Sequence, residues 1–188
     1  MPKIVKDADI YQAVIQAVSE RGYSGATTKQ MAEAANVSEV TLFRKYGSKQ
    51  ALVKQAISYI LAETDFASAV HYTGNLAADL MSVVQAYQNA AVMNGLFIVS
   101  LFAEISRYPD LIDSFDEPLG IFRSIGQLIA RYQEEGKLQK ENPFHAVAAL
   151  LSPLMYAELL QRGIPNESLQ PVNISSHVTC FLEGRRNK

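Results

Sequence analysis

The chain of 188 residues is 48% apolar and 19% charged, enough to bury a core and too apolar for wholesale disorder. Ten glycines and seven prolines exclude a collagen-like or linker-rich protein, and the single cysteine, Cys180, excludes an internal disulfide. The net charge of −2 is uneven: residues 1–55, Lys3 and Lys6 included, carry eight basic and five acidic side chains, so this part is +3 and the remainder −5, a pointer to an anionic partner for the N-terminal part.

The pattern is helical almost throughout. Ile10, Val14, Ala17 and Val18 recur at helix spacing, with Asp7 as N-cap and Gly22 as stop. Thr27 with Gln30 has capping-box spacing and opens a short helix to about Ala35. Asn36 follows, Ser38 caps a helix to about Lys45, Gly47 ends it, and Ser48 caps a longer helix to about Thr64. Thr73-Gly74-Asn75 is a breaker; helices are then expected at 76–93, 95–107, 118–135, 144–162 and 172–184, with stops at Tyr108-Pro109, Glu117-Pro118, Gly136, Asn142-Pro143 and residues 163–171. Pro153 predicts a kink or split in the eighth helix. No strand-like alternation competes. The fold class is all-α, with about nine helices.

The stretch from Thr27 to Lys49 carries the functional signal. Two short helices joined by a tight turn form a helix-turn-helix. Met31, Ala35, Val37 and Leu42 supply its small core, Ala32 is small where the helices meet, and Asn36 suits a left-handed turn position. Lys29, Arg44, Lys45 and Lys49 lie in or beside this unit, where phosphates would lie.

The run from Thr27 through Leu52, TTKQMAEAANVSEVTLFRKYGSKQAL, resembles the N-terminal signature of TetR-family transcriptional regulators, roughly T-T-x-x-I-A-x-x-A-G-V-S-x-x-T-L-Y-x-H-F-x-S-K-x-x-L. The resemblance implies a homodimer with a three-helix DNA-binding domain over residues 1–52, followed by a helical effector-binding and dimerisation domain over 53–188. It implies a repressor released from a palindromic double-stranded operator by a small, largely apolar effector. Thr28 and Thr41 match phosphate-contact positions, and Lys49 matches a lysine that reaches the DNA backbone. Lys29, Glu39, Val40 and Arg44 match variable positions that meet base edges: Arg44 suits guanine O6 and N7, Glu39 a cytosine amino group, Val40 a thymine methyl. Phe43 replaces a tyrosine whose hydroxyl touches phosphate, Lys45 replaces a histidine and adds charge, and Asn36 replaces glycine. The last two helices are expected to pair across the dimer. Met81, Gln88, Asn94, Phe97, Phe122 and Met155 are the expected effector-binding residues.

Other signals are weaker. His177, Cys180 and Glu183 have partial metal-site spacing on a helix, and Asp110, Asp113, Asp116 and Glu117 form an acidic run. A packed helix and a solvated loop explain them better, and neither metal nor cofactor is expected. There is no G-x-S-x-G, H-E-x-x-H, P-loop or G-x-G-x-x-G, so an enzyme is not expected. The alternative readings are a helical small-molecule-binding protein or enzyme whose helix-turn-helix is only structural, or a helix-turn-helix that meets a protein. The apolar stretches Ala90–Ala103 and Ala146–Ala157 are short of the ~20 residues of a membrane span, and the N-terminus lacks a secretion signal. A cytoplasmic protein without a membrane partner is therefore expected.

Overall fold

The structure, a computed structural model, describes residues 6–64, 66–163 and 170–186; Lys3 and most of the expected stop at 163–171 lie outside them. Among the described residues there are eight α-helices and two short 3-10 segments. The chain divides into two compact units, Met1–Glu63 with Leu96–Glu117, and Thr64–Gly95 with Pro118–Lys188.

In the first unit, α1 (Asp7–Gly25) buries Ile10, Ala13, Val14, Ala17 and Val18, one stripe at helical spacing. Its cap is Lys6 rather than Asp7, which is the first helical residue and makes no capping bond. Its carboxylate still suits the helix N-terminus electrostatically. The expected stop at Gly22 is a break inside the helix, with φ 71° and ψ 170°, a region essentially reserved for glycine. A Cβ at Gly22 would stand 2.8 Å from Glu104 Oε1. That carboxylate accepts hydrogen bonds from the Ser24 backbone N–H at 3.0 Å and from its hydroxyl at 3.2 Å. It thereby collects donors released where the helix breaks.

Helices α2 (Thr28–Ala34) and α3 (Glu39–Tyr46) follow, then α4 (Lys49–Thr64), which buries Leu52, Val53, Ala56, Ile57 and Ile60. The boundary expected after residue 52 falls inside α4, whose buried stripe is continuous across it. The segment 96–117 also belongs to this unit, and Lys54 bonds Asp116 at 3.0 Å within it.

The second unit holds most of α5 (Leu76–Phe102), then α6 (Asp116–Glu134), α7 (Pro143–Gly163) and α8 (Ile174–Glu183). The break expected between residues 93 and 95 does not occur, which is why there are eight helices and not nine. Gly95 stays helical within α5, where a Cβ would lie 3.4 Å from Met155 Sδ of α7, an ordinary van der Waals contact. Helix α7 runs unsplit through Pro153. By length and composition Pro143–Arg162 is long and apolar enough to cross a membrane, longer than the apolar stretch expected from the sequence. Ala146, Val147, Leu150, Leu151 and Leu154 are buried within the protein and α7 packs on α8, while 28% of the apolar window as a whole is buried.

The loop before α5 is tied down by Asp79, which is 1% exposed. Its carboxylate accepts from the Thr73 N–H at 2.8 Å, the Thr73 hydroxyl at 2.5 Å and the Tyr132 hydroxyl at 2.5 Å. Burial pushes its pKa up, but these bonds to the charged form prevail and hold it below the usual carboxylate range.

Candidate nucleic-acid interface

The reading unit is built by local capping. Thr27 Oγ1 accepts from the Gln30 N–H at 3.2 Å, while Gln30 Oε1 accepts from the Thr27 N–H at 3.0 Å. This reciprocal box fixes where α2 starts. At its other end Asn36 takes φ 56°. The Val37 N–H reaches back to the Ala32 carbonyl at 2.9 Å and the Asn36 N–H to the Glu33 carbonyl at 3.1 Å, the paired bonds of a Schellman stop. Ser38 Oγ accepts from the Thr41 N–H at 3.1 Å and starts α3. Thus three residues with short polar side chains set the angle between two helices.

Packing then decides which side of α3 faces out. Met31, Ala32, Ala35 and Leu42 are buried, and Val37 is half-buried. Tyr46 turns inward against Tyr11, with ring centroids 6.1 Å apart. Its hydroxyl is buried, and burial, with the neighbouring Tyr11 hydroxyl, raises its pKa. The opposite side presents Val40, Phe43 and Arg44, at i, i+3 and i+4. Val40 is 76% exposed and Phe43 48% exposed. Arg44 and, on α2, Lys29 are exposed too, and among the described residues neither has an ion-pair partner. Exposed apolar side chains grouped beside a cationic one are a mark of an interaction surface.

The residues expected to hold phosphate have other occupations. The Thr28 hydroxyl donates to Glu39 Oε1 at 2.5 Å. Thr41 is half-buried and shares a hydrogen bond with the Ser38 hydroxyl at 2.8 Å. Lys45 is exposed and ion-paired with Asp7. Lys49 donates to the Tyr23 carbonyl, and its ammonium lies 4.2 Å from the Tyr23 ring centre. Burial lowers the Lys49 pKa, against an opposing pull from Glu104. Sequence reasoning missed these partners (Asp7, Tyr23, Glu104) because none carries a local motif.

The six expected effector residues are not gathered in one place. Phe97 is buried in the first unit; Met81, Gln88, Asn94, Phe122 and Met155 belong to the second. A groove of about 330 Å³ in the second unit is bordered by Gln88, Val92, Leu154, Glu158 and Arg162, among others. Of the six, Gln88 alone borders it, and Gln88 also donates to the Val172 carbonyl at 3.3 Å. Phe122 packs edge-on against Tyr87 at 6.2 Å, where burial pushes the Tyr87 hydroxyl up to about 12. Met155 lies against Gly95. His177 is spent on the Leu150 carbonyl at 2.7 Å, and Cys180 is exposed.

Residues 10–56 match the family model described as bacterial regulatory proteins, tetR family. An uncharacterized HTH-type transcriptional regulator of Bacillus subtilis, YvkB, is 30% identical over 141 residues, covering 71% of this chain and 70% of that protein. The chain belongs to the TetR family of transcriptional regulators. As a TetR-family protein it is a DNA-binding regulator and not an enzyme. Its fold is similar to that of a Rhodococcus sp. structure assigned to the TetR family (TM-score 0.75, 19% identity, 95% of this chain and 97% of that one). It is also similar to the flavonoid-responsive regulator FrrA (TM-score 0.62, 22% identity, 97% of each chain).

Proposed function

We propose that this TetR-family regulator acts as a cytoplasmic homodimer whose two α3 helices enter successive major grooves of a palindromic operator. The observation that carries the reading is the outward face of α3: exposed Val40 and Phe43 beside an unpaired Arg44. A groove about 12 Å wide takes a helix of this size, a guanine edge suits Arg44, and thymine methyls suit the apolar pair. Lys29 flanks this face as a further base contact. Thr28, Thr41, Lys45 and Lys49 grip the backbone, each by giving up its present internal partner.

Two such heads must stand about 34 Å apart to engage one turn of duplex. A small apolar effector that favours another core geometry would lower operator affinity by its differential binding energy, typically ~1–3 kcal/mol. Gln88, which borders the groove of the second unit, is proposed to meet it as a polar anchor. Tyr156, left 65% exposed on α7, supports pairing between copies.

Fluorescence anisotropy with a randomised duplex of about 30 bp tests the reading. Binding in the micromolar range or tighter at ~50 mM salt, weakening steeply as salt rises, supports it. No binding under those conditions rejects it. Light scattering on a size-exclusion column tests the dimer, and a monomer at micromolar concentration would reject that part.

A further inference from the structure

Two carboxylates engage side chains that the DNA-binding reading assigns to duplex phosphates. Glu39 holds the Thr28 hydroxyl at 2.5 Å, and Asp7 holds the Lys45 ammonium. Both pairs belong to the unit that carries the exposed Lys29, Val40, Phe43 and Arg44. Glu39 is half-buried in the first turn of α3, and its bond aims Oε1 at α2. A carboxylate reading a cytosine amino group must instead project into the groove. Glu39 is thus engaged with a candidate phosphate contact, and its charge repels the phosphate that would replace it.

We infer that Glu39 and Asp7 act as internal phosphate mimics: they occupy Thr28 and Lys45 and weaken binding to every duplex alike, so Glu39 sets the strength of DNA binding and does not read a base. The inference rests on the DNA-binding reading of this face. Each anchored phosphate must displace a carboxylate, so the chain gains less from the backbone and depends more on what Val40, Phe43 and Arg44 find in the groove. Non-specific affinity comes almost entirely from phosphates, so the device lowers the absolute strength of binding and leaves the ratio of specific to non-specific binding as it is.

The test compares the full-length protein with Glu39→Gln, Glu39→Ala and Asp7→Asn. Each is titrated against the randomised duplex and against a site selected from a random library by the wild type. Glutamine keeps an acceptor for Thr28 and removes the charge. Glu39→Gln should tighten both duplexes about five- to tenfold at ~0.1 M salt and steepen the salt slope by up to ~0.9, the equivalent of one further phosphate. Base preference, read from single substitutions in the selected site, should stay as in the wild type. Asp7→Asn should add a similar gain at Lys45. Unchanged or weaker binding to both duplexes by Glu39→Gln and Glu39→Ala overturns the inference, as does an effect confined to one base pair, which would make Glu39 a reader. Wild-type binding distinguishes these failures from failure of the DNA-binding reading, in which no version binds any duplex.

Discussion

Gly22→Ala tests how the end of α1 is held, and its cost divides into two parts. At φ 71° and ψ 170° a side chain is strained by about 1–3 kcal/mol. The new methyl would also sit 2.8 Å from Glu104 Oε1, so the carboxylate must move off the Ser24 N–H and hydroxyl. These bonds are to a charged group but are exposed, so losing them costs about 1–2 kcal/mol in all. The sum, about 2–5 kcal/mol, corresponds to a melting point lower by roughly 5–15 °C for a chain of this size. Glu104→Ala separates the parts. It removes the obstacle, so Gly22→Ala in that background should cost the backbone strain alone, and the cycle should show a coupling of about 1–2 kcal/mol. Urea unfolding followed by circular dichroism, at fixed protein concentration, measures all four proteins. A Gly22→Ala cost below about 0.5 kcal/mol, or strictly additive changes, would refute the reasoning.

Asp79→Asn should destabilise the protein by about 1–3 kcal/mol at pH 7, because an amide keeps one acceptor oxygen for the Thr73 N–H and the Tyr132 hydroxyl, loses the acceptor for the Thr73 hydroxyl, and replaces charge-assisted bonds by neutral ones. The folded-state pKa of Asp79 is lowered. Its contribution is therefore full above the ordinary carboxylate range and is lost as pH falls through the depressed value, so the gap between wild type and variant should close in acid. Unfolding curves at pH 7 and at about pH 3 check both statements. Val40→Asp should leave the melting point within about 1–2 °C, since the side chain is 76% exposed, yet abolish duplex binding; loss of both together would make Val40 structural. Lys49→Met should weaken DNA binding without regard to sequence and shift stability, because the ammonium also serves Tyr23; parallel anisotropy and melting measurements check this.

What the sequence disclosed was whatever a few neighbouring residues decide among themselves. Thr27 with Gln30, Asn36, Ser38 and Gly47 set helix ends through bonds spanning at most five residues, so their roles could be read directly. The outward set Val40, Phe43 and Arg44 followed from helical period once Leu42 was taken as core. Gly95 misled because a glycine can stop a helix or be carried within one, and its immediate neighbours in sequence do not tell which. The partners of Thr28, Lys45 and Lys49 were equally out of reach. A hydroxyl or ammonium on a helix advertises what it can bind, not which carboxylate or carbonyl the fold brings to it. The effector residues were the least legible: large apolar side chains suit a cavity wall and a filled core alike, and Phe97 is packed as core is packed.

The outward face of α3 as the DNA reader is tested most directly by the base preference of Arg44→Ala on the selected operator. Relaxed preference at one base pair in each symmetric half-site, with other positions still discriminated and the salt slope nearly unchanged, is the predicted result. Operator affinity and preference that remain those of the wild type in the Val40→Asp, Arg44→Ala double variant would contradict it.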